Sequence, residues 1–362
     1  MLVSAELVRV PTVDRLVKIW SDRYLPDLSP LPLGNEPSVL HELRHAASRA
    51  GRTQTAKKLY GHLVDQNCKL AALRVKDLYT YLSEILDLGE AKQLADSATL
   101  IYLKLLEVYQ ESPSITTSST EELWTTYGDS SLAAWGIPRI EKLANTLELL
   151  LLQFQEHHRM AKDWRMLGFI TTQINFSNAL LLEQLEPAEQ VLLKPYLKFV
   201  EEQVALPWQR LCAVAANHHL DSPAFLLVEK MLPIASIIAT STYTRLLRYF
   251  PRHYSRRGRL DHAAVKHSCL RDLTMFQVYL WLCVLQGNLH VVEQELVALC
   301  IMVMEGVGVE WKLIAQWNKT LMDEILNRLD IHQRALVRPY AERMIEAFQR
   351  HQTYFEKPSS HP

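Results

Sequence analysis

Glycine is the residue this chain most conspicuously lacks, with 11 in 362 positions, against a usual share of about 7 %. Tight turns and β-hairpins draw on positive φ, which glycine adopts without strain. A strand-rich chain of this length needs far more, so the scarcity points to helices. Apolar spacing agrees. Val13, Leu16, Val17, Trp20 and Tyr24 recur at helical intervals behind Pro11, and so do Ile140, Leu143, Leu147, Leu150, Leu151 and Phe154 behind Pro138. Few stretches alternate with period two. The sequence therefore predicts an all-α protein, with an N-terminal helical bundle and a larger C-terminal multi-helix array that admits a tandem duplication.

Length and breaker residues divide the chain. Residues 1–36 read as an N-terminal arm with one helix, closed by Pro26, Pro30 and Pro32. Residues 37–110 read as a helical bundle and 111–137 as a linker. Seven of the nine residues from Ser112 to Thr120 are Ser or Thr, the composition of a tether, with a phosphorylation segment as the alternative. A large helical domain follows over 138–356, with repeat units around 138–204 and 288–350, and 357–362 form a tail. The repeat rests on Leu185–Tyr196 and Leu329–Tyr340, which share four identities and four conservative matches. Each pairs an acidic N-cap candidate with Glu or Gln three residues on, the spacing of a capping box. Each also places a basic residue, Pro and Tyr inside the helix. Upstream, Gln173-x-Asn175 and Gln316-x-Asn318 line up after a one-residue gap, near Trp164 and Trp311.

Charge narrows the function. The 39 basic and 40 acidic residues give a net charge of −1, which provides no general attraction to nucleic acid or membrane surfaces. Cys68, Cys212, Cys269, Cys283 and Cys300 are scattered, without a C-x-x-C pair, so neither a disulfide framework nor a cysteine zinc site is expected. With no basic-then-apolar leader in view, the expected location is the cytoplasm. Leu273–Val292 carries no Asp, Glu, Lys or Arg, but Gln286-Gly287-Asn288 interrupts it, and it reads as a buried helix rather than a membrane span. Met275, Phe276, Tyr279, Trp281, Leu282 and Cys283 within it read as core, not as the lining of a cofactor pocket. No cofactor is expected.

Two local signals could carry chemistry. His41-Glu42-Leu43-Arg44-His45 fits H-E-x-x-H on a helix, where histidines four residues apart share a face, can bind one Zn²⁺, and leave Glu42 as the base. In this it resembles the active-site helix of zinc peptidases. The resemblance implies a third ligand, for which Asp65, Glu84 and Asp87 are the nearby carboxylates. It departs from the family at Arg44, a cation beside the metal, and in lacking the sheet that such enzymes pack on this helix. The second signal is an arginine-rich loop: Arg245, Arg248, Arg252, Arg256, Arg257 and Arg259, interleaved with Tyr243, Tyr249, Phe250 and Tyr254, in a stretch from Lys230 to Leu260 without an acidic residue. Guanidinium forks match carboxylate and phosphate oxygens. A shortened helix-turn-helix pattern over 70–82 reads better as part of a bundle, since it lacks the turn glycine.

Three functions follow, in order. The first is a non-enzymatic helical adaptor or assembly-type protein that binds a protein partner. The second is a nucleic-acid- or anion-binding regulatory protein using the arginine loop. The third is a zinc hydrolase using His41, Glu42 and His45.

Overall fold

The computed structural model describes residues 10–31, 37–83, 87–111, 143–144, 146–147, 150–151, 153–154 and 166–355. The Ser112–Thr120 segment and the His157-His158 pair lie outside the described residues. The chain is all-α, as its glycine scarcity requires. The helices are α1 (Pro11–Ser21), α2 (Pro37–Ala47), α3 (Arg49–Leu59), α4 (His62–Leu78), α5 (Leu88–Glu111), α6 (Met166–Leu182), α7 (Pro187–Ala205) and α8 (Trp208–Ala215), then α9 (Pro223–Met231), α10 (Ala235–Tyr249), α11 (Ala263–Gln286), α12 (Val297–Val307), α13 (Trp311–Leu326) and α14 (Ile331–Phe355). Among the described residues the strands are β1 (Tyr254–Ser255) and β2 (Gly258–Arg259), an antiparallel pair.

The helices gather into two compact units. One draws on Met1–Val8, Trp20–Ala161 and Phe169–Val204, the other on Arg9–Ile19, Lys162–Gly168 and Ala205–Pro362. The boundary after Val204 groups most of α6 and α7 with the N-terminal helices. The helix of the expected N-terminal arm is also incorporated: Thr12 Oγ1 donates to the Ala215 carbonyl at 2.9 Å, and Arg15 pairs with Glu229. Its buried face is Val13, Leu16 and Val17, the residues the spacing singled out.

In the first unit α4 lies along α5. Arg52 is fully buried: its guanidinium stacks 4.6 Å from the Tyr109 ring centroid, Nε donates to the Ala47 carbonyl at 3.2 Å, and Nη1 to Tyr196 Oη at 3.3 Å. The second unit is built around α11, where Leu273 through Leu285 are all buried. Phe276, Trp317, Phe348 and Trp311 form a ring cluster, and Trp311 Nε1 donates to the Phe348 carbonyl at 2.8 Å. By length and composition α11 and the Pro223–Tyr249 stretch could each cross a membrane, but 78 % of the apolar window of α11 is buried inside the protein. It is a core helix. A π-helical turn, Val292–Leu296, precedes α12 and turns Glu295 inward, where Arg210 grips it through two bonds of 2.7 and 2.6 Å.

Two helical hairpins, α6–α7 and α13–α14, have turns of the same length and similar caps. Four residues, 183–186 and 327–330, join α6 to α7 and α13 to α14. In the turns, the Glu186 amide donates to Glu189 Oε2 at 3.0 Å and the Asp330 amide to Gln333 Oε1 at 3.4 Å, the return bond of a capping box. Asn175 Nδ2 reaches Glu201 Oε1 and Asn318 Nδ2 reaches the Met344 carbonyl, both at 3.1 Å and both 26 residues ahead. Gln173 bonds Ser177 and Gln316 bonds Thr320, both at 3.3 Å. Pro195 and Pro339 each lie inside the second helix, eight residues past its start (187 to 195, 331 to 339). Shared helix grammar accounts for the caps. The bonds from Asn175 and Asn318 have the same reach but different acceptors, a carboxylate in one hairpin and a backbone carbonyl in the other.

Candidate partner-binding surface

Helix α10 ends at Tyr249, and its last turn starts the arginine segment. Pro251 follows, has no N–H to extend a helix, and the chain leaves α10 at Phe250, whose amide still bonds the Leu246 carbonyl at 2.8 Å. The segment expected as a plain loop then folds into a small hairpin, in which Tyr254 faces Arg259 and Ser255 faces Gly258, with Arg256 and Arg257 at its tip. Gly258 sits at φ +122°, where a side chain is strained. Ser255 Oγ closes the turn on the Gly258 carbonyl at 2.9 Å.

Three long-range bonds hold the hairpin from behind. The Arg256 amide donates to the Val307 carbonyl at the end of α12 at 2.8 Å, and Tyr243 Oη donates to the Leu260 carbonyl at 2.7 Å. Arg257 Nη1 reaches Ser268 Oγ on α11 at 3.2 Å. His253 lies half-buried at the base, and burial pulls its pKa below the ordinary value, an effect Glu310 partly offsets. Its neutral form is therefore favoured in the fold. Stability from this site is present above about pH 6.5 and declines as pH falls through that value.

The six arginines separate into three groups. Arg245 reaches Glu324 Oε2 at 3.2 Å, and Arg259 bonds both oxygens of Asp261 at 3.2 and 3.3 Å. Burial raises the Glu324 carboxyl, but Ser241, Arg328 and Arg245 outweigh it and hold the group below its usual range. Arg257 is turned against α11. Arg248, Arg252 and Arg256 remain exposed, and none has a carboxylate partner among the described residues. Of the interleaved rings, Tyr243 is buried, whereas Tyr249 is 52 % and Tyr254 69 % exposed. The sequence pattern found the arginines. It could not find Glu324, which packing brings in from α13 with no local signal.

The H-E-x-x-H residues lie on α2, where Leu43 is buried while His41, Glu42 and His45 are exposed. The candidate third ligands are engaged elsewhere: Asp65 pairs with Lys69 at 2.8 Å, and Asp87 Oδ1 accepts the Glu90 amide at 2.8 Å. Glu84 is outside the described residues. Among the described residues no three His, Cys, Asp or Glu side chains gather as a metal-binding group. The 70–82 pattern is no helix-turn-helix, since α4 runs unbroken to Leu78. His218 serves its own turn: Nε2 lies 2.9 Å from the Leu285 carbonyl and must donate, which leaves Nδ1 to accept from Ser222 Oγ at 3.1 Å.

Cysteine reactivity depends on an accessible thiolate, and burial works against it here. All five are buried. Burial pushes the thiol of Cys68 up to about 11 and those of Cys269 and Cys283 to about 12, and raises Cys212 and Cys300 further. A thiol-reactive disulfide reagent at pH 8 should therefore label native protein far more slowly than the same protein in denaturant. A thiol that reacts rapidly in the native state would show that a cysteine is accessible.

A family model described as phycobilisome protein matches residues 225–348, which is 124 of 362 positions. The match runs from Phe225 in α9 to Phe348 in α14, and so falls within the second unit and includes the arginine hairpin. No curated protein and no solved structure gives a match.

Proposed function

We propose that this chain is a non-enzymatic helical protein of the assembly type, which binds a protein partner in the cytoplasm. The observation that carries this reading is the phycobilisome-protein match on the second unit, since a phycobilisome is by name a body built of proteins. The architecture is consistent with it. Each unit is built of long helices, which carry side chains at regular helical spacing. Large apolar side chains stand out on the second unit, among them Ile237 at 59 % and Ile331 at 79 % exposure.

Native mass spectrometry of the protein isolated from its own cells tests the proposal. A stoichiometric protein partner that survives moderate salt is the expected result. A monomer that carries only nucleic acid would favour the second reading, which the exposed arginines support. Stoichiometric zinc lost on replacing His45 by alanine would favour the hydrolase reading.

A further inference from the structure

Resting on the partner-binding reading above, we infer that Arg248, Arg252 and Arg256, with Tyr249 and Tyr254, form the docking surface for a carboxylate-rich segment of the protein partner. Three guanidinium groups on one short stretch repel one another, and among the described residues no carboxylate pairs with them, whereas Arg245 and Arg259 have Glu324 and Asp261. A carboxylate-bearing partner would supply that counter-charge. The backbone of the hairpin is held before anything binds, since the Arg256 amide is tied to α12 and the Leu260 carbonyl to Tyr243, which leaves chiefly the side chains to be ordered.

The arginine hairpin occupies the connection of residues 250–262 between α10 and α11. Elaborated loops on a rigid frame are where binding residues concentrate.

The composition favours a polypeptide over a nucleic acid. Arg and Tyr are among the residues that carry most of the energy in protein interfaces. Three arginines of the segment lack a carboxylate partner among the described residues, fewer than the roughly six to ten phosphate contacts of strongly salt-dependent nucleic-acid binders.

The test uses the full chain and fluorescently labelled poly-L-glutamate of about 20 residues, followed by anisotropy at low salt, where surface charges are least screened. The combined Arg248→Ala, Arg252→Ala, Arg256→Ala variant should bind at least about tenfold more weakly, and Tyr254→Ala severalfold more weakly. Arg74→Ala, an exposed arginine on α4, should bind as the parent does. Should the triple variant misfold, Arg252→Glu alone replaces it, with the same expectation. Unchanged binding by a folded variant overturns the inference. So does tighter binding of a dT20 oligonucleotide through the same arginines, which would make this a nucleic-acid surface. Displacement by inorganic phosphate beyond that of chloride at equal ionic strength would also overturn it, in favour of a small-anion site. A native partner that stays bound to the triple variant sinks the docking site and leaves the assembly reading standing. Poly-glutamate binding that is lost in the triple variant, with no native partner found, supports the surface and removes the assembly reading alone.

Discussion

Glu202→Ala is expected to destabilise the first unit by about 3–5 kcal/mol, because it leaves a buried cation without its counter-charge. The carboxylate is buried between Arg23, whose Nη2 reaches Oε1 at 2.8 Å, and Tyr24, whose Oη reaches Oε2 at 2.9 Å. The Arg23 guanidinium lies 4.3 Å from the Trp20 ring centroid, and Trp20 Nε1 donates to Tyr24 Oη at 3.1 Å. Removing the carboxylate leaves both Arg23 and the tyrosine hydroxyl short of a partner. Urea unfolding followed by tryptophan fluorescence reads the loss, and a shift under about 1 kcal/mol would mean the pair is solvated. The double variant Arg23→Leu, Glu202→Leu should recover most of it, since replacing a whole buried pair is often neutral. The same pair sets an acid limit. Burial raises the Glu202 carboxyl, but Arg23 and Lys198 outweigh it and hold the pKa below the usual range. A depressed carboxylate contributes its full stability above the unfolded value of about 4.3, and loses it as pH falls through the folded value. Glu189, held low by Lys58, Thr55 and the Glu186 amide against its burial, titrates in the same direction. The stability gap between parent and Glu202→Ala should therefore close below about pH 4.

Local pattern made part of this architecture legible. The spacing Val13, Leu16, Val17 marked the buried face of α1, and the uncharged run after Leu273 marked the core helix α11. The capping residues around Leu185 and Leu329 located both hairpin turns, because a cap is a contact between neighbours in sequence. Breaks set by backbone conformation were harder to see. Gly61, where φ is +75°, divides α3 from α4, and α4 then runs unbroken to Leu78. Between α9 and α10 the helix is interrupted at Leu232–Ile234, where Pro233 lies in a 3-10 turn. The candidate site divides along the same line. Arginine spacing is local and was readable. Which arginines are neutralised was not, because Glu324 meets Arg245 only through the packing of α13 on α10.

Gly51→Ala is expected to be destabilising, although alanine is the better helix former by about 1 kcal/mol. Ser48 caps α3, accepting the Gly51 amide at 3.0 Å, while its own hydroxyl donates to the His45 carbonyl at 2.6 Å. The turn from α2 into α3 is thus closed within one residue, and the two backbones come together at Gly51. A Cβ there would lie 2.0 Å from the His45 carbonyl oxygen and 2.8 Å from Ala46 Cα. Both obstacles are backbone, so no side-chain rotation relieves them, and α2 must shift as a body. Overpacking of this kind costs about 1–3 kcal/mol and sometimes more. Since the helix gain of about 1 kcal/mol opposes it, a net loss of up to about 2 kcal/mol is expected. Ala50→Gly, one residue earlier and exposed, supplies the comparison, because it should lose only the helix-propensity difference. A Gly51→Ala protein with a thermal midpoint at or above that of the parent would mean that α2 and α3 do not approach this closely. The exposed face bearing His41 and His45 would then be free to take up a different arrangement.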